Sequence, residues 1–321
     1  MLFIGREKVA NCLTPSLCLQ LSREAFSLAS KGKVKQTLRS VIASDDGCLM
    51  GTMPAYISEG PYAGFGLKTV KVDFNHTDQR TSHEGCILLY DADGKGEIAL
   101  VDAGVVTEFR TAAASALATQ LLAAPDATRL AILGTGVQAR KHAQMMISVR
   151  AIEHITVWGR CAESTDSFAS WCRENLKLPV TIAASPTQAV KHAEIICTVT
   201  ASREAFLHSN ALPLQCHINA VGASAIGFQE ISSELYSHVE LYVDYREAVW
   251  NASTCLIKAQ EQGYLQKDNM GTEIGELLIQ KKAFIQPQTK RTLFKSVGIA
   301  AQDLVFARAI VNMQRTNLNG I

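Results

Sequence analysis

The stretch from Arg129 to Ala139 constrains this chain more than any other. An apolar run, RLAILG at 129–134, enters the turn Gly134-Thr135-Gly136-Val137-Gln138-Ala139 and leaves it with helical character. The spelling is GxGxxA. Gly134 allows a tight turn, Gly136 lets backbone approach a pyrophosphate, and the small Ala139 lets helix and strand pack closely. The backbone N–H groups of Thr135, Val137 and Gln138 then open a helix whose N-terminus faces the phosphates. A glycine-rich turn in some other α/β protein is the competing reading, and context decides against it. After RLAILG come HITVWGR, VTIAAS, EIICTVTA, CHINAVGA and VELYVDY, alternating with helical stretches at 137–151, 162–175, 186–192 and 228–237. Strand and helix in alternation mean a parallel, doubly wound sheet. The fold class is therefore α/β, with a Rossmann dinucleotide-binding domain.

The second strand selects the nucleotide. A carboxylate there, about 20 residues after the motif, would accept from a ribose 2′-hydroxyl. This strand ends Trp158-Gly159-Arg160-Cys161 instead, with Ser164 and Thr165 just beyond. A missing acid and a present arginine favour a 2′-phosphate, hence NADP(H), with NAD(H) as the alternative. Thr198 and Thr200 end the fourth strand and Val221-Gly222 the fifth, where the nicotinamide half of such a cofactor runs.

The 321-residue chain is too long for one such domain. Leu2–Ile4 reads as a strand, and Thr14-Pro15 caps and opens a helix carrying Leu17, Leu21 and Phe26. From 36 to 102, strand-like segments are divided by DDG, EGP and DADGKG, the pattern of a mostly antiparallel sheet. Thr107 is placed to cap a helix, TEFRTAAASALATQLLAA, whose alanines on every face imply close packing, and Pro125 closes it. Residues 299–315 form a final helix. With 31 Lys+Arg against 30 Asp+Glu there is no basic face for a nucleic acid. No apolar run is long enough for a secretory signal or a membrane span. Nine scattered cysteines without CxxC, and eight histidines without HExxH, suggest free thiols in a reducing cytoplasm and no metal site.

Several segments resemble the ornithine cyclodeaminase/μ-crystallin family: Thr107–Leu121 with its RTAAxSALA signature, GTGVQA at 134–139, CHINAVGAS at 216–224 and TLFKSVGIAAQD at 292–303. Arg39, Met53-Pro54-Ala55 and Lys68 match its N-terminal pattern. The resemblance implies a homodimer in which a smaller α+β substrate-binding and dimerisation domain, residues 1–125 with 291–321, surrounds a Rossmann domain at 126–290. It implies that Arg39, Lys68 and Arg110 hold the carboxylate of an amino or imino acid, with Lys71 competing with Lys68 for its place. It further implies Ser82 and His83 at the substrate, His83 as a proton relay, and Ser296 beside the nicotinamide; Asp303 is read only as a cap of the last helix. A bound anion beside Arg110 would also meet free N–H groups if that residue opened its helix.

One departure bears on the reaction. Cyclodeaminases of the family carry Asp after the VGG/VGA element, where this chain has Ser224. A serine hydroxyl is not a carboxylate base, although it can orient a substrate. The resemblance therefore favours a ketimine reductase, reducing a cyclic α-imino acid such as Δ1-pyrroline-2-carboxylate or its six-membered homologue. Lys68 would give the proton and Ser224 would orient. An ornithine-cyclising lyase, a dehydrogenase of open-chain imines and a non-catalytic binding protein are the alternatives.

Overall fold

The structure, a computed structural model, describes residues 1–73, 83–90, 97–280 and 291–319. Its contacts divide the chain into two compact units, Met1–Arg110 with Ile299–Ile321, and Thr111–Gly298.

The first unit opens with β1 (Leu2–Ile4), α1 (Arg6–Cys12) and α2 (Pro15–Ser30). Thr14 Oγ1 accepts from Leu17 N at 3.3 Å, the cap that Thr-Pro announces. There follow β2 (Val34–Gln36), β3 (Ser40–Ala43), β4 (Leu49–Ile57), β5 (Gly64–Val72), β6 (His83–Leu89) and β7 (Ala99–Asp102), then α3 (Ala103–Leu122). The strands lie in the order β1-β7-β6-β5-β4-β2, with β3 also on β4. All pairs are antiparallel except β1 with β7. Alternation sets the two faces: Met53, Ala55 and Ile57 of β4 and Lys68 and Val70 of β5 are buried. Lys71, three residues from Lys68 and so on the opposite face, is exposed.

Helix α3 starts earlier than the sequence suggests. Asp102 Oδ1 accepts from Val105 N at 2.8 Å and so opens the helix. Thr107 lies inside it and donates to Ala103 O at 2.7 Å. Arg110 is consequently beyond the first turn, and the free N–H groups expected beside it are already bonded within the helix. The alanines are buried all round, as their distribution implied: Ala112, Ala113, Ala114, Ala116 and Ala118 are fully inaccessible.

The second unit runs β8 (Arg129–Leu133), α4 (Val137–Ile147), β9 (His154–Trp158), α5 (Ala162–Leu176), β10 (Val180–Ile182), α6 (Pro186–Val190), β11 (Ile195–Thr198), β12 (His217–Ala220), β13 (Glu240–Val243), α7 (Arg246–Ala252), α8 (Thr254–Glu261), β14 (Thr272–Glu273), α9 (Ile274–Ile279) and β15 (Thr292–Lys295). Its sheet, ordered β10-β9-β8-β11-β12-β15-β13-β14, is parallel throughout. The order reverses between β8 and β11, the topological switch point at which α/β sheets bind ligands. The helix expected over 228–237 is reduced to a 3-10 turn at Ser233–His238. Residues before it are extended instead: Ile231 bridges to Leu207, and Glu230 O accepts from the N–H groups of Phe206 and Leu207.

The units meet along the chain at other points than the sequence suggested, near 125 and 290. The second half of α3 packs with the parallel sheet: Thr119 Oγ1 accepts from Asn219 Nδ2 at 2.9 Å and Ser115 Oγ pairs with His142 Nε2 at 2.9 Å. Strand β15 lies between β12 and β13, so residues just past 290 also belong to that sheet. Only then does the chain return to the first unit as α10 (Ala300–Asn319), which packs on α2, β4, β5 and β6. Gly66 permits the approach: a Cβ there would stand 2.9 Å from Leu304 Cγ.

Candidate functional site

In the second unit the glycine turn is built as the motif requires. Gly134 has φ +121°, a conformation open essentially to glycine alone, and a Cβ there would lie 2.8 Å from Val199 O. Its N–H donates to Trp158 O at 2.8 Å. Gly159 is equally constrained, since a Cβ would meet Thr165 Oγ1 at 2.6 Å and Thr135 Cγ2 at 2.7 Å. Ala139 is fully buried against the sheet. Gly136 differs: its φ is an ordinary −80°, and nothing lies within 4 Å of where its Cβ would be. It is the N-cap of α4 and gives no side-chain cap. Protein packing thus leaves Gly136 without a reason for being glycine, while a phosphate approaching the uncapped N–H groups supplies one. The residues present fit a dinucleotide. Val137 is exposed, Gln138 and Thr135 are half-buried, and Arg160 is exposed beyond the end of β9.

The ends of β11 and β12 are tied by a residue that the sequence did not single out. Glu230 is fully buried. Its Oε1 accepts from Thr200 N at 2.6 Å and Thr200 Oγ1 at 2.7 Å; its Oε2 accepts from Thr198 Oγ1 at 2.8 Å, Gly222 N at 2.9 Å and Ala223 N at 3.2 Å. The hydroxyl protons of Thr198 and Thr200 are therefore held by Glu230, so toward a ligand these two hydroxyls can only accept. Gly222 must be glycine, since a Cβ would fall 2.1 Å from Thr200 O. From the other side Lys295, also fully buried, donates to Ala220 O at 3.2 Å and Ala223 O at 2.8 Å. The Val221–Ser224 turn is thus pinned through both its N–H and its C=O groups, and Ser224 is half-buried at its end. Asp244 does the same for the turn after β15: its Oδ2 accepts from Ser296 Oγ, Val297 N and Gly298 N at 2.7–2.8 Å.

The first unit holds a cluster of charge. Lys68 is 1% exposed, Arg110 4% and Asp303 0%. Lys68 Nζ donates to Asp303 Oδ1 at 2.9 Å and to Thr107 Oγ1 at 2.6 Å, and Arg110 Nε donates to the same Oδ1 at 3.2 Å. Burial pulls the Lys68 pKa down to about 7; Asp303 opposes this, while Arg110 and Arg39 add to it. For Asp303, burial works upward, but Lys68 and Arg110 outweigh it and hold the carboxyl below its ordinary value. Asp303 is thus the centre of the cluster rather than a helix cap alone. Arg39, half-buried, lies near enough to bear on both charges. Ser82 and the side chain of His83 lie outside the described residues.

Three buried charges whose partners the sequence did not show close an apolar run at a strand end or sit inside an apolar helix: Asp244 after β13, Lys295 ending β15, and Asp303 in α10. A charge at the carboxyl end of a buried parallel strand is itself a signal, because that edge is where α/β ligand sites form. Among the described residues no group of three or more His, Cys, Asp or Glu is arranged to hold a metal, and no helix is long and apolar enough to cross a membrane.

A parallel sheet with this glycine turn, in a chain whose other unit has a mostly antiparallel sheet and a buried charge cluster, defines a two-unit α/β protein of Rossmann type. Residues 2–317 match the Ornithine cyclodeaminase/mu-crystallin family, and the chain belongs to it. It is 34% identical over 317 residues to the ketimine reductase mu-crystallin of Mus musculus, covering 96% of each chain. It is 32% identical over 259 residues to a Delta(1)-pyrroline-2-carboxylate reductase of Bacillus cereus, covering 80% of this chain and 78% of the relative. Among solved structures, the Thermococcus litoralis Delta(1)-pyrroline-2-carboxylate reductase in complex with NADH and L-proline superposes with a TM-score of 0.93 at 27% identity, over 99% of this chain and 98% of that one.

Proposed function

We propose that the protein is an NADPH-dependent reductase of cyclic α-imino acids, taking Δ1-pyrroline-2-carboxylate to L-proline and its six-membered homologue to L-pipecolate. The observation that carries this reading is the buried Lys68–Asp303–Arg110 cluster, with three cations counting Arg39 against one carboxylate. That excess positive charge suits a small carboxylate anion, and arginine offers it a bidentate fork. Family membership and the reductases among the relatives support it, as does a serine at 224 in place of a carboxylate base.

The nucleotide supplies hydride to the imine carbon when bound. The chain's own residues do the rest. Gly134, Thr135, Gly136, Val137 and Gln138 hold the pyrophosphate at the start of α4. Gly159 leaves room at the end of β9 and Arg160 meets the 2′-phosphate. Thr198, Thr200, Val221, Gly222 and Ser296 line the nicotinamide end. Arg39 and Arg110 fix the substrate carboxylate, and Ser224 orients the ring. Lys68 Nζ gives a proton to the imine nitrogen, making the carbon electrophilic, and is left as the neutral amine until solvent reprotonates it.

The test is loss of reduced-nicotinamide absorbance against a panel of cyclic and linear imines, with NADH as control. Cyclic imines are turned over with NADPH preferred; Arg160→Ala erases the preference by raising KM for NADPH alone. Silence across the panel despite tight NADPH binding points to a binding protein, and ammonia released from ornithine without added NADPH points to a lyase. Lys68→Met lowers kcat; an unchanged kcat with only a higher KM refutes its role as donor.

A homodimer belongs to the same reading. On the outer face of the first sheet, Phe3, Leu100, Leu88, Leu67 and Pro54 stand opposite one another in register across five strands. Phe3 is 69% exposed and Phe65, at the end of the face, 61%. Such a continuous apolar row is the kind of surface that a second copy covers.

A further inference from the structure

We infer that Asp303 is the positioning residue of the cluster: its carboxylate fixes Lys68 Nζ and keeps it charged, so that a proton stands ready for the substrate nitrogen. The functional weight of this inference rests on the reductase reading above; its geometry does not. Thr107 uses its own hydroxyl proton on Ala103 O, so toward Lys68 it can only accept. Asp303 Oδ1 is the second acceptor. An ammonium has three N–H donors, and two directed bonds leave the third aimed. The carboxylate is itself fixed through that one oxygen by Lys68 and Arg110, while its buried Oδ2 has no hydrogen-bond partner among the described residues.

Charge points the same way. Arg110 from α3 and Arg39 from the segment before β3 repel a proton on Lys68. Its cross-strand neighbours, Met53 on β4 and Ile87 on β6, carry no charge. Asp303 on α10 is therefore the group that opposes both burial and the two arginines. A residue in the first turn of α10 also favours the helix dipole. A cap alone, however, has no reason to touch Lys68, and the two roles separate in experiment.

The measurement is the titration of Lys68 by NMR of the full chain labelled at lysine Cε, its resonance identified by its absence in Lys68→Met. In Asp303→Asn the midpoint falls by about 1–3 pH units, the shift that loss of an adjacent opposite charge produces. A midpoint unmoved or raised overturns the inference and leaves Asp303 a cap. Should Asp303→Asn not fold, the coupling is read from the other side, since it is reciprocal. The Asp303 carboxyl carbon then titrates at higher pH in Lys68→Met than in the unaltered protein, and an unchanged midpoint overturns the inference equally. Neither readout needs turnover, so an inactive imine panel and an unmoved titration are separate failures. Where turnover is present, the alkaline limb of kcat/KM in Asp303→Asn moves to lower pH with the midpoint.

Discussion

Replacing Glu230 by glutamine should damage the second unit far more than its near-identical shape suggests. The carboxylate accepts from five donors, two on Oε1 and three on Oε2. A glutamine has one carbonyl oxygen, so one side must present an NH2 group. Placed on the Oε2 side, it opposes the N–H groups of both Gly222 and Ala223. Gly222 N also reaches Thr198 O at 3.1 Å and keeps a partner, but Ala223 N does not have that second bond. Placed on the Oε1 side, it opposes Thr200 N, while the Thr200 hydroxyl can rotate to accept. Either way one backbone donor is stranded, at about 1–3 kcal/mol, and the surviving bonds lose the strength that an ionised acceptor gives them. Relief from burying a charge offsets part of this. The expected net loss is roughly 2–4 kcal/mol, read as a lower urea midpoint in the transition of the second unit at unchanged slope. Dinucleotide affinity should fall at least about tenfold, since 1.4 kcal/mol of misplacement in the Val221–Ser224 turn suffices. A stability change under about 0.5 kcal/mol, the range of an ordinary surface substitution, refutes the claim that this carboxylate organises the strand ends.

The two glycines of the turn should part company. Gly134→Ala forces a Cβ against Val199 O at a φ of +121° and should lower the melting temperature of the apoprotein, whereas Gly136→Ala, with open space before it, should leave apoprotein melting unchanged and weaken dinucleotide binding in a titration. Burial holds His142 at about 4 and His217 at about 3, both below the ordinary imidazole value of 6.5. The unfolded chain therefore binds protons that the folded one refuses, and stability of the second unit should fall as pH drops from 6.5 toward 4, with His217→Gln flattening the slope in denaturation curves taken across that window. Leu88→Glu, in the middle of the outer apolar row, should convert a dimer to a monomer by light scattering without changing the far-UV spectrum; a dimer that persists puts the interface elsewhere.

Periodicity carried most of the second unit. Buried parallel strands read as apolar runs, and the GxGxxA turn fixes which strand comes first, so β8 to β13 were legible as elements, each run starting within a residue of its strand but running on past its carboxyl end by one to three residues. Period-two alternation also separates Lys68 from Lys71, since a spacing of three puts them on opposite faces, and Lys68 is the buried one. What pattern could not show was partnership across long stretches of chain. Asp303 meets Lys68 across 235 positions and Arg110 across 193, and Glu230 receives Thr198 from 32 away. An isolated acid in an apolar helix looks like a cap until its partner is located. Thr107 misled for a related reason: a threonine inside a helix can bond its own preceding turn, which a sequence cannot distinguish from capping. The helix expected over 228–237 failed because Glu230 needs an extended backbone there to bridge two strand ends.

The return of the chain to its first unit through α10 sets an order on assembly. A ribosome delivers Lys68 and Arg110 long before Asp303, and the sheet that will enclose them lacks its covering helix throughout the synthesis of the whole second unit. During that interval the cations have no acid to balance them, and closing the core would bury unpaired charge. The second unit, by contrast, has all its strands once β15 has emerged. Folding on the ribosome should therefore proceed from the middle of the chain outward, with the charged centre the last part to become dry.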